Sequence, residues 1–109
     1  MEIIICKDFT DAPGPRFKSQ GDFSGEAFRE DFLIPKFKEA LEQKEKLVIN
    51  FDGTFGYPTS FLEEAFGGLK EKYDKELILK TLEFISNDEI GLIGEVKGYI
   101  DSNERKTKK

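Results

Sequence analysis

The sequence predicts an α/β domain with a mostly parallel central sheet of about four strands and helices packed against it. Three observations predict it. The run Leu47-Val48-Ile49-Asn50-Phe51 is apolar and β-branched, as a strand buried on both faces should be. Asp52-Gly53, Gly56, Pro58, Thr59 and Ser60 then carry the chain through a loop, and from Ser60 the period becomes helical. There Phe61, Leu62, Ala65, Phe66, Leu69 and Tyr73 share about 140° of arc, with Glu63, Glu64, Lys70 and Glu71 outside it. Third, apolar runs flank this unit in an alternating order of strands and helices, which implies right-handed crossovers between parallel strands.

Taken in order, the first strand is Glu2 to Cys6, and Asp11-Ala12-Pro13-Gly14-Pro15 is turn chemistry. Arg16-Phe17-Lys18 is a weak second strand, and Gln20-Gly21-Asp22 another turn. Ser24 reads as an N-cap, with Glu26 in the first helical turn to meet the dipole. Pro35 removes a backbone donor and crowds the carbonyl of Asp31, so a kink or two helices are expected, Glu26 to Ile34 and Pro35 to Gln43. Lys72 to Lys75 is a charged connector. The strand after it, about Leu79 to Ile85, alternates like an edge strand. Ser86-x-x-Glu89 reads as a capping box opening a last helix to Ile100, with Ile90, Ile93, Val96 and Ile100 facing in. Gly91, Gly94 and Gly98 form a bare strip on its other side, read as the mark of a weak terminal helix ahead of a groove for a partner.

The chain has 109 residues, enough for one core and one domain. Its 36% charged and 38% hydrophobic residues, with eleven Phe, describe a globular chain. No apolar run approaches the roughly 20 residues that span a bilayer, and MEIIICKDF reads as a strand, not a signal peptide. The lone Cys6, read as buried and inert, fits a cytoplasmic location. With no histidine, Ser-His-Asp and Cys-His catalysis and the usual zinc sites are excluded within the chain. Net charge is −5, and the last six residues carry +3, leaving −8 on the body. That sign argues against a nucleic-acid platform. The division expected is a domain over 1–103 and a basic disordered tail over 104–109.

Polar groups converge on the loop after the central strand, at the carboxyl edge where open α/β sheets do their work. Ser60-x-x-Glu63 is itself a capping box and Asp52 a turn residue, so both have structural readings. The functional reading makes Thr59 or Ser60 a modifiable hydroxyl at a helix start. A phosphate there would gain from the dipole, meet Asp52, Glu63 and Glu64, and alter a partner's docking. Phe55 and Tyr57 are either partner anchors or a plug for the sheet's end. Asp52, Glu63 and Glu64 would suit Mg²⁺ in charge, but neighbouring helix acids point apart and no phosphate loop accompanies them. No metal, cofactor or enzymatic activity is therefore expected. A competing reading is a small-ligand or nucleotide-binding crevice with Arg16 or Arg29 as phosphate contacts.

Several pieces carry a resemblance: Arg16-Phe17, Ser24-Gly25-Glu26-x-Phe28-Arg29, the strand VINFDG, and above all Ser60-Phe61-Leu62-Glu63-Glu64-Ala65-Phe66-Gly67-Gly68-Leu69. Over about residues 14 to 100 the chain resembles the bacterial STAS-like family of uncharacterised domains, itself similar to the STAS domains of anti-anti-sigma factors. In those factors the matching loop resembles Asp-Ser-Ser-Gly-Leu-Gly, with a serine phosphorylated by a histidine-kinase-like ATPase. The resemblance implies a STAS-like single domain and a regulatory protein-interaction module. It places Asp-Ser-Ser on Pro58-Thr59-Ser60, making Thr59 or Ser60 the acceptor, with Pro58 standing for the acid and Phe61 for the glycine. It also implies a partner of the ATPase kind encoded nearby. On this reading the interface is the loop 53–60 with the helix 60–73, carrying Asp52, Phe55, Tyr57, Glu63 and Glu64.

Overall fold

The computed structural model describes residues 1–103; the expected tail lies outside the described residues. A three-stranded parallel sheet runs β1 (Glu2–Ile4), β2 (Leu47–Asn50) and β3 (Leu82–Ile85), in that spatial order. The strand expected at the centre is central, and the strand expected at an edge is at an edge. Register sets Ile3 beside Ile49 and Ile49 beside Phe84. Ile3, Leu47, Ile49 and Leu82 are buried against the helical layer. The alternate positions of β2, Val48 and Asn50, are only half-buried, so the central strand is fully covered on one face and not on both.

Several sequence expectations change. Arg16-Phe17-Lys18 forms no strand; its place is taken by extended chain and a 3₁₀ turn at Lys18–Gln20, so the sheet has three strands. The carbonyls of Pro15 and Arg16 instead accept the amides of Gly25 and Glu26, which ties this segment to a helix start. The first strand stops at Ile4, and a single helical turn, α1 (Ile5–Asp8), follows. Its start is held by the Asp8 carboxylate accepting the Ile4 amide at 2.7 Å. Cys6 lies in that turn, half-buried and free.

The Pro35 helix is one helical path with a wide turn in it. Ser24 caps α2 (Gly25–Phe28), its hydroxyl accepting the Ala27 amide at 2.9 Å. A π turn at Arg29–Leu33 leads into α3 (Ile34–Gln43) without leaving helical dihedrals. The Ile34 amide reaches back five residues to the Arg29 carbonyl, so the wide turn falls just before Pro35, which has no amide to donate.

α4 (Thr59–Phe66) is shorter than the periodicity implied and passes into a 3₁₀ segment, Gly67–Glu71. It is also far more enclosed. Phe61, Leu62, Glu64, Ala65 and Phe66 are all buried, because α2 and α6 pack on it from different sides. Gly25 permits the first of these packings: a Cβ there would run into the Phe61 carbonyl.

Leu79 to Thr81 are helical, not extended: α5 (Lys75–Thr81) precedes β3 directly. The last helix, α6 (Leu92–Asp101), opens at Gly91, whose φ of 92° breaks the path before it. The Ser86 box does not form, since the Ser86 hydroxyl donates to the Glu89 carbonyl at 3.0 Å. Ile90, expected inside, is fully exposed, and Leu92, Val96 and Ile100 make the buried stripe. Nothing within 4 Å would meet a Cβ at Gly94 or Gly98. Among the described residues no helix is long and apolar enough to cross a membrane.

Candidate functional site

Parallel strands bring the loops after β2 and β3 to the same end of the sheet, and hydrogen bonds join them there. The Asp52 carboxylate accepts the backbone amides of Asn87 (2.7 Å) and Asp88 (2.9 Å) and the Asn87 side-chain amide (2.9 Å). In return the Asp88 carboxylate accepts the Gly53 amide at 2.9 Å. The Asp88 and Asn87 donors hold the Asp52 carboxyl below its ordinary range. Asp52 thus clasps two loops.

The two loop aromatics part company. Tyr57 turns inward: its ring meets Phe51 edge-on at 5.3 Å and its hydroxyl donates to the Phe51 carbonyl at 2.8 Å. Burial pushes its phenol well above the usual tyrosine range. Phe55 turns outward and is 88% exposed, although its amide is fixed to the Asp11 carbonyl at 2.8 Å. Between the loops lies a shallow recess of about 200 Å³, whose lining includes Phe55, Tyr57, Asp88, Glu89 and Leu92.

Thr59 and Ser60 open α4 behind this loop, Thr59 exposed and Ser60 half-buried. The capping box expected at Ser60 is absent, because the helix starts two residues earlier than that box requires. Pro58 occupies the N-cap, which has no side-chain bond, and Ser60 stands inside the first turn. Glu63 instead pairs with Arg16.

The four charged residues singled out from the sequence form one network. Glu64 is 3% exposed and Arg29 is 8% exposed. One guanidinium nitrogen of Arg29 donates to both the carboxylate and the carbonyl of Glu64, each at 2.6 Å. Arg16 bonds Glu63 and also reaches the Glu64 carboxylate at 3.3 Å. Two arginines flanking two glutamates neutralise one another under the α2–α4 crossing. Among the described residues no group of three or more His, Cys, Asp or Glu gathers closely enough to hold a metal ion.

Sequence reasoning missed Ile90, Asp88 and Glu89, which it placed in a helix. Gly91 before Leu92 was the available signal, since a positive-φ glycine there starts the helix later and leaves Ile90 outside it.

A three-stranded parallel sheet with helices packed around it places the chain in the class of small single-sheet α/β domains. A family model described as a STAS-like domain of unknown function matches residues 24–92, and the chain belongs to that family. No curated protein and no solved structure matches the chain.

Proposed function

We propose that this domain is a non-enzymatic, regulatory protein-binding module that meets its partner through the loop 53–60. The observation that carries this reading is Phe55: a large aromatic, 88% exposed, on a loop fastened through its Gly53 and Phe55 amides. Leaving such a ring in water wastes apolar burial worth about 2 kcal/mol, which a docked partner recovers. A fastened loop reduces the ordering cost of that docking. α4 contributes through its first turn, where Thr59 and Ser60 are not buried, and through Glu63 in the turn that follows. The partner, by the family resemblance, is of the histidine-kinase-like ATPase or anti-sigma kind, and phosphate on Thr59 or Ser60 switches the contact. The added charge would fall beside Glu63, at an edge that is already acidic.

The nucleotide reading asks Arg16 or Arg29 to meet a phosphate, and both lie against carboxylates. Co-purification with the product of the neighbouring gene tests the proposal. Phe55→Ala and Ser60→Glu are each expected to weaken capture; retention of the partner by both variants overturns it. Thermal-shift screening against nucleotides separates the two readings. A nucleotide at 100 times its Kd would stabilise by about 2.7 kcal/mol, and no shift is expected.

A further inference from the structure

We infer that the clasped edge of the sheet docks a partner presenting apolar sockets rimmed by lysine or arginine, a choice of occupant that rests on the protein-binding reading above. Two large apolar side chains stand out from this edge, Phe55 on the loop after β2 and Ile90 on the loop after β3, the latter fully exposed. Their loops are tied to each other by the Asp52–Asn87, Asp52–Asp88 and Gly53–Asp88 bonds, so the pair is presented by one frame. The recess between the loops has Tyr57 and Leu92 among its lining beside Asp88 and Glu89, and it gives an incoming side chain a seat of mixed polarity.

Acid predominates around these anchors. Asp88 and Glu89 line the recess, Asp52 sits at its root, and the backbone carbonyl of Asp11 holds the Phe55 amide. No lysine or arginine occurs between Leu47 and Leu69, or between Thr81 and Val96, the stretches that carry the two loops; Lys7 stands in the turn after β1 at the same end of the sheet. An acidic rim around apolar anchors is complementary to a basic rim around apolar sockets. An acidic or nucleic-acid surface would be repelled, and a second copy of this edge would bring like charges together.

A random-peptide library displayed on phage, panned on the whole chain, tests this. Selected peptides are expected to combine apolar residues with Lys or Arg, and to bind about tenfold more weakly when salt rises from 50 to 500 mM. Binding to Phe55→Asp and Ile90→Asp, which alter exposed side chains only, should fall at least about tenfold with unchanged melting temperature. Peptides that bind both variants as well as wild type place the docking surface elsewhere, and the protein-binding reading of this edge fails with the inference. Peptides that need Phe55 and Ile90 but are acidic, or ignore salt, leave that reading standing and overturn the basic-rim inference. Concentration-dependent dimers abolished by Ile90→Asp would also overturn it, by making a second copy the occupant.

Discussion

Asp52 and Asp88 exchange hydrogen bonds across the gap between two loops: the Asp52 carboxylate accepts the Asp88 amide at 2.9 Å, while the Asp88 carboxylate accepts the amide of Gly53 at 2.9 Å. The second residue past the central strand is thereby locked to the turn past the edge strand, and the presentation of Phe55 and Ile90 depends on that lock.

Removing the Asp52 carboxylate should unlock it. Asp52→Ala is expected to speed hydrogen exchange at the Asn87 and Asp88 amides and leave the strand amide of Phe51, bonded to the Ile85 carbonyl at 2.9 Å, protected. Because the native carboxyl titrates below its ordinary value, its stabilising effect is present above the unfolded Asp range, near pH 4, and is lost as pH falls through the lowered native value. The stability difference between wild type and Asp52→Asn, followed by melting, should therefore shrink on acidification below about pH 4. A difference that holds constant down to full protonation would contradict the clasp.

The buried pair gives a larger effect. Arg29→Met leaves the 3%-exposed Glu64 carboxylate without its main donor and should cost about 3–5 kcal/mol in urea unfolding. Arg29→Met with Glu64→Leu should recover much of that loss, since the buried carboxylate that lost its main donor is gone as well. Arg16→Ala, at a side chain 29% exposed, should cost about 1 kcal/mol or less. A double variant as weak as Arg29→Met alone would show that the pair is not the origin of the cost.

Where local chemistry and tertiary packing agree, the fold was legible. Ser24 caps as its hydroxyl and position require, and the β-branched run at Leu47 takes the centre of the sheet. Where long-range contacts decide, local signals misled. Ser60-x-x-Glu63 has the spacing of a capping box, yet Glu63 gains more from the Arg16 guanidinium than from a helix amide. Glu64 looked like a solvent-facing acid because its partner, Arg29, is 35 residues away and periodicity carries no trace of it. Phe55 and Tyr57 were indistinguishable by composition, and only the Phe51 carbonyl, out of reach of any pattern, sends one inward.

That bond makes Tyr57 a testable plug. Tyr57→Phe keeps the ring against Phe51 and Phe61 but strips the carbonyl of its donor, an expected loss of about 1 kcal/mol. The raised phenol pKa sets the sign at alkaline pH: the neutral form is favoured in the folded state, so its contribution is complete below the unfolded value, near pH 10, and declines above it. Wild type should lose stability above that pH faster than Tyr57→Phe does. Spectrophotometric titration of wild type against Tyr57→Phe should show the Tyr57 phenol ionising above the ordinary tyrosine range; a difference curve with its midpoint at the ordinary value would refute the assignment.

Two glycines in helical backbone should respond to alanine with opposite signs. A Cβ at Gly68 would overlap the guanidinium of Arg29, and that group has little freedom to retreat because the carbonyl and carboxylate of Glu64 hold it. Gly68→Ala should therefore destabilise by about 1–3 kcal/mol. Gly94 lies inside α6 with nothing within 4 Å of a built Cβ, so Gly94→Ala should stabilise by up to about 1 kcal/mol through backbone entropy alone. The two causes can be separated by coupling. In an Arg29→Met background the Gly68→Ala cost should fall by at least about 0.5 kcal/mol, because the overlapping group has been replaced, whereas the Gly94→Ala gain should be unchanged. Chemical denaturation of the three single and two double variants reads this directly. Equal Gly68→Ala costs in both backgrounds would mean that the close approach of Arg29 to the backbone is not what that glycine serves.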